Sequence, residues 1–229
     1  MIEKVAAVSF IGSGSGIQLF SVDLGAEGSF KLIRAMTFFG VDTDFSITWG
    51  FSAAPDGGMT TVGVNAPNYS NTIENNVLIK VVDENSMVGT NHRYMLFSLS
   101  LDSSDQVGIY IAYYSFEGFT NPNVSIQSGT IAPNSFEVIN YATSPQLQVV
   151  KSIWLSAPLE VSPPVFGNVF IAQVPAVGSG AYIGSVNLQG SCASAVYGLW
   201  LPNNNLPLQI LNDSASPAGL TYYVTSIGR

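Results

Sequence analysis

Apolar and polar residues alternate along most of the chain, and the three-to-four-residue spacing of an amphipathic helix hardly occurs. The alternation predicts strands over Val5–Ile11, Ile17–Asp23, Phe30–Phe39, Phe45–Phe51, Val77–Val82, Tyr94–Leu101 and Val107–Tyr114. A second series follows at Val124–Thr130, Phe136–Tyr141, Leu147–Leu155, Val165–Val174, Tyr182–Leu188, Val196–Leu201, Leu206–Asn212 and Leu220–Ile227. Gly, Pro, Asn, Asp and Ser clusters such as PDGG, SPP, PNNN and DSASPAG separate them, because these residues supply the turn conformations that strands cannot. About fifteen strands and no helix make an all-β chain of sandwich or barrel type.

The two series resemble each other. Val8-Ser9 and Val124-Ser125 each open a stretch that reaches a phenylalanine, Phe20 or Phe136. Each then enters an apolar strand interrupted by one basic residue, Arg34 or Lys151. Near the ends, Asp102 and Asp213 each begin an Asp-Ser turn before a tyrosine-containing strand. This self-similarity predicts an internal duplication: two tandem antiparallel β-sandwich domains, jelly-roll-like or immunoglobulin-like, over residues 1–118 and 119–229. The boundary falls near Phe116–Asn123.

The glycine-rich GSGSG at positions 12–16 follows the first strand, where a phosphate-binding loop could stand. Such a loop needs Gly-Lys-Ser/Thr and a following helix. Here Ile17-Gln18-Leu19 follow and read as strand, so a flexible hairpin connection is expected. The aligned stretch of the second copy, SGTIAP, asks only for a turn.

Composition narrows the function classes. The 229 residues are 47% hydrophobic and only 10% charged, against about 25% charged in an average domain. So few charges leave much uncharged surface, either neutral-polar or covered by neighbours. Net charge is −8 with seven Lys and Arg, none clustered, which disfavours nucleic acid and anionic membrane surfaces as partners. No apolar run is long enough to span a membrane, and the alternating start MIEKVAAVSF, which carries an acid, does not read as a signal peptide. Cys192 is the one cysteine and His92 the one histidine, so neither a disulfide nor an ordinary zinc site is expected.

Candidate chemistry is sparse. His92 would have to serve any Ser-His-Asp triad, but no Gly-x-Ser-x-Gly elbow occurs. Asp42 with Asp44, and Asp83 with Glu84, are the carboxylate pairs that a glycosidase or calcium site would use, although Asp is equally a turn residue. Asn68, Asn123 and Asn212 begin three N-glycosylation patterns. Trp49 and Trp154 lie in apolar runs and read as core, whereas Trp200, beside the PNNN turn, is the candidate for a surface aromatic contact. The expectation is therefore no catalytic residue, no cofactor and no metal.

Two tandem β domains with an exterior-type composition and no evident export signal resemble virion structural proteins of the jelly-roll type. The pairing looks like the double-jelly-roll lineage of icosahedral viruses, and the scarcity of Lys and Cys like penton and turret proteins of archaeal viruses from hot acid springs. The resemblance implies assembly with copies of itself and with other capsid proteins, in a virion, without enzymatic activity. A carbohydrate-binding, lectin-like module that contacts host-surface glycans is the alternative.

A chain with few ion pairs has few native carboxylate contacts to lose in acid. The fold is accordingly expected to survive well below pH 4; far-UV circular dichroism showing cooperative unfolding between pH 5 and 4 would refute this.

Overall fold

The computed structural model describes residues 1–12, 14, 16–41, 46–65, 77–83, 86–100, 106–117, 124–139, 148–156, 165–173, 182–190, 194–197, 201–203, 208–214 and 219–228. The chain divides into two compact units, Met1–Thr61 with Asn65–Asn121, and Val62–Val64 with Pro122–Arg229. All regular elements among the described residues are strands.

The first nine strands are β1 (Ile2–Ile11), β2 (Ile17–Asp23), β3 (Lys31–Val41), β4 (Ser46–Ser52), β5 (Thr60–Asn65), β6 (Val77–Val82), β7 (Val88–Thr90), β8 (Tyr94–Ser100) and β9 (Gln106–Ser115). They form two sheets, ordered β1-β9-β3-β6 with β7 also on β3, and β2-β8-β4-β5. The chain changes sheet at almost every connection, and its first strand pairs with its last. This is the strand order of a jelly roll. In an immunoglobulin-type sandwich the first two strands share a sheet, which β1 and β2 do not.

The second unit carries β10 (Val124–Ile131), β11 (Ser135–Ile139), β12 (Gln148–Ser156), β13 (Val165–Gln173), β14 (Tyr182–Gly190), β15 (Ser194–Tyr197), β16 (Leu201–Asn203), β17 (Leu208–Ser214) and β18 (Leu220–Gly228). Its sheets run β10-β18-β12-β15, with β16 on β12, and β11-β17-β13-β14. Adding nine to each strand number of the first unit reproduces the second, so the same topology occurs twice.

A shared irregularity ties the copies together. Where β3 meets β9, Ile33 faces Tyr113 and Ala35 faces Ala112, leaving Arg34 as the extra residue of a β-bulge. Where β12 meets β18, Val150 faces Ser226 and Ser152 faces Thr225, leaving Lys151 extra. The two basic residues that interrupt these strands therefore stand at one structural position. The same rows correct another match: Lys4 lies opposite Tyr113 and Ser125 opposite Ser226, so Lys4 corresponds to Ser125. Val8 and Val124 are not equivalent, and their shared Val-Ser is coincidental.

The first unit buries its inward rows as an aromatic and aliphatic core. Phe38 of β3 meets Phe97 of β8 edge-on at 6.1 Å and 87°, and Phe10 of β1 stacks on Phe20 of β2 at 4.0 Å, so both contacts bridge the sheets. Ile33, Met36, Ile47, Leu99, Ile109 and Ile111 are buried around them. Each fully buried side chain of this size contributes about 1.5–3 kcal/mol. In the second unit Ile153, Trp154 and Leu155 of β12, Tyr223 and Val224 of β18, and Leu208 and Ile210 of β17 are buried.

Three short strands, β5, β7 and β16, escape the alternation rule. β7 and β16 have three residues each and continue the edge lines begun by β6 and β15 along β3 and β12. β5 carries Gly63 inside a short Thr-Thr-Val-Gly-Val run.

Gly50 of β4 is required by a close approach: a Cβ there would lie 2.1 Å from the Thr60 carbonyl oxygen. Since that neighbour is backbone, Gly50→Ala should push β5 off β4 and cost about 1–3 kcal/mol, read as a lower urea midpoint. An unchanged midpoint would contradict this packing.

Candidate functional site

Among the described residues of the first unit, Lys4, Asp23, Glu27, Lys31, Arg93 and Glu117 gather at one end of its sandwich. Two connections meet there: Leu24–Phe30, leading from β2 to β3, and residues 91–93, leading from β7 to β8. Backbone bonds join them, Leu24 N to Arg93 O at 2.7 Å and Gly28 N to Asn91 O at 2.8 Å. Beneath them lies Lys31, the first residue of β3, with no exposed surface. Its inward position follows from strand alternation in KLIRAMTF. Its ammonium donates to the carbonyls of Ala26 at 2.5 Å and His92 at 3.0 Å, one from each connection. An unpaired buried charge would be costly, and these acceptors offset that cost.

Carboxylates surround this lysine. Asp23 receives the Arg93 guanidinium, Nη2 to Oδ2 at 2.7 Å and Nε to Oδ2 at 3.1 Å, and also accepts from Gly25 N at 2.8 Å. Glu27 lies 3.0 Å from His92 Nδ1 and accepts from Arg93 N. Glu117, just past β9, pairs with Lys4 of β1 and accepts from Ser115 Oγ at 3.2 Å. The Arg93 guanidinium holds Asp23 below the ordinary carboxylate range, and the Lys4 ammonium does the same for Glu117. Burial pushes the Lys31 ammonium down, opposed by Glu27, Asp23 and Glu117.

His92 therefore sits in an electrostatic clamp. The His92–Glu27 pair reproduces two members of a triad, but no hydroxyl is bonded to the ring in the contacts of the described residues. Nor does any group of three or more His, Cys, Asp or Glu among the described residues have the placement to hold a metal ion. Asp83 closes a small turn, its carboxylate accepting from Ser86 Oγ at 2.9 Å and its carbonyl from Ser86 N at 3.0 Å. Asp42, Asp44, Glu84, Cys192, Trp200, Asn68 and Asn123 lie outside the described residues. Trp49 and Trp154 are core residues, Trp49 packing edge-on against Phe51 at 6.4 Å.

One expectation changes. The GSGSG stretch is not a hairpin: it carries the chain from β1 in one sheet to β2 in the other. Gly14 and Gly16 adopt φ of 134° and 138°, which other residues rarely do. Asn212 is not an open glycosylation position. It is fully buried, and its Nδ2 donates to Ile131 O at 3.1 Å and Ala132 O at 3.2 Å, fastening the β10–β11 corner.

The other notable surface is apolar. Val5 and Ile11 of β1 are 57% and 64% exposed, and Ile17 and Leu19 of β2 are 73% and 49% exposed. Both strands stand at sheet edges among the described strands. Phe39 of β3 and Tyr110 of β9 are also exposed. The alternation reading did not single these out, because it gives a strand's two faces without saying which one a partner covers. The clamp residues Asp23, Glu27, Lys31, Arg93 and Glu117 were equally unmarked, since they are scattered singly along the chain.

Asn212→Ala should remove the hydrogen bonds that the Ile131 and Ala132 carbonyls accept from a buried amide, and lower stability by about 1–3 kcal/mol in urea unfolding. The intact mass of the chain from a glycosylating host should show no glycan at Asn212; a glycopeptide there would contradict its buried role.

No family model matches the chain and no curated protein matches its sequence. Among solved structures, the PBSX exported protein XepA is similar at 11% identity and TM-score 0.23, over 99% of this chain and 86% of that one. The CBM22-1–CBM22-2 tandem domain of Paenibacillus barcinonensis Xyn10C follows at 9% and 0.26, over 96% and 93%. The Macrobrachium rosenbergii nodavirus structure is similar at 9% and 0.23, over 99% and 97%. At these values the assignment of the fold rests on the strand order and bulges of this chain itself.

Proposed function

We propose that this chain is a structural component of a virus particle, a capsid-vertex, turret or minor capsid protein that works by assembly. It would join copies of itself and other capsid proteins in the virion, and would carry no catalytic activity. The observation that carries this reading is the apolar surface on β1 and β2, turned outward on a tandem jelly roll. Edge strands with exposed Val, Ile and Leu are a liability in a solitary molecule and an asset where a neighbour covers them. The fold is a common capsid architecture but also a lectin architecture, so the support for the assembly reading comes from the surface rather than the fold.

Light scattering of the purified full chain at pH 7 and pH 3.5 tests the proposal. A defined oligomer is expected, and replacing Val5 and Ile11 together with serine should dissociate it. A monomer that binds a glycan array, and loses that binding in Trp200→Ala, would overturn assembly in favour of a carbohydrate-binding module.

A further inference from the structure

We propose that the charged end of the first unit is an acid-released latch, closed near neutral pH and opened by carboxylate protonation while the sheets stay folded. The latch consists of the connections Leu24–Phe30 and 91–93, which are bound to each other and to Lys31 beneath them. The titratable groups of this charged end come from several elements. They are Lys4 of β1, Asp23 of β2, Glu27 of the first connection, His92 and Arg93 of the second, Tyr94 of β8, Tyr113 of β9, and Glu117 after β9.

Three carboxylates, Asp23, Glu27 and Glu117, balance three cations, Lys4, Lys31 and Arg93. Protonating Asp23 and Glu117 removes most of one side of this balance and leaves the cations around a buried ammonium. Repulsion then acts on an ammonium that has no exposed surface. The sign follows from the depressed carboxyls: their stabilisation is present above the unfolded-state pKa and is lost as pH falls through the folded-state pKa. The sheets do not share this dependence, because their core is aromatic and aliphatic.

Opening would uncover apolar surface. Leu24 is fully buried in the first connection, and Phe30 is buried with its ring 5.3 Å from Phe116. The backbone bond from Phe116 N to Phe30 O, at 3.0 Å, is part of the same closure.

The test is hydrogen exchange of the full chain, followed by mass spectrometry from about pH 6 to about pH 2 and corrected for intrinsic exchange rates, because the lowered carboxyls protonate below their ordinary range. Protection in the Leu24–Phe30 segment should fall about tenfold or more, the scale of losing a hydrogen bond to a charged partner. Over the same range β8 and β9 should keep their protection and the buried Trp49 its emission maximum. Asp23→Asn, which imitates the protonated acid at the same shape, should lower protection of this segment at pH 7. Lys31→Met should start less protected but lose less on acidification, since the central cation is gone. Protection constant down to about pH 2, loss of the segment together with the sheets, or native-like protection in Asp23→Asn would each overturn the latch.

Discussion

The pairing of first strand with last closes both units, and most other features follow from it. In the first unit Ile2 lies against Ser115 and Ile11 against Gln106. In the second, Val124 lies against Ile227 and Ile131 against Leu220. Such closure joins the ends of each unit's chain, so its loop entropy must be offset before the pairing stabilises anything. Folds dominated by distant pairings form slowly for this reason. The last strand is then central in its sheet, with the first strand on one side and β3 or β12 on the other. The Arg34 and Lys151 bulges sit on that second seam, where an extra residue adds local twist without breaking the ladder.

The duplicated topology meets one problem with two chemistries. Each unit must turn from its first strand into the opposite sheet. The first uses glycines, with Gly14 and Gly16 at positive φ. The second uses a shorter link with Asn134 at φ 50°, and ties it down from outside. The Asn212 amide takes the Ile131 and Ala132 carbonyls, and Gly219 lies so close that a Cβ would approach the Ile131 oxygen to 2.8 Å. Backbone freedom in one copy is replaced by a buried side-chain clamp in the other. The sequence resemblance between SGTIAP and GSGSG is therefore partial: Ser128, Gly129 and Thr130 belong to β10, and only the end of that stretch enters the corner.

The all-β class, the duplication and most strand positions were legible because alternation is a direct imprint of a pleated strand with one covered face. Arg34 and Lys151 were legible as matching interruptions, because a bulge breaks the alternation at the residue it adds. Sheet order was not, since strands of similar pattern can pair in many ways and nothing local tells β1 to seek β9. The short β7 fell below the length at which alternation can be recognised. The charged end was invisible for a different reason. Lys31 and Asp23 are separated by a connection, and Glu117 comes from the far end of the unit, so only the first-to-last pairing brings them together. Asn212 looked like a glycosylation position because the pattern reports three residues and says nothing of burial.

The ion pairs of the described residues also bear on the neighbouring strand faces. Glu3 pairs with Arg34, whose guanidinium lies 5.7 Å from the Tyr114 ring, and Lys4 pairs with Glu117. The charges of β1 are thus neutralised by its own unit, and beyond Lys4 the strand reads Val-Ala-Ala-Val-Ser-Phe-Ile with none. Half-exposed ion pairs of this kind contribute little to stability individually. Their larger effect is on what a neighbour would meet: removing unpaired charge from β1 lowers the desolvation cost of covering Val5 and Ile11. Under the proposed assembly, a second copy of this chain of net charge −8 would meet no unpaired like charge along this strand. The end that holds the ions and the strand faces that present apolar residues are in this sense two results of one distribution of charge.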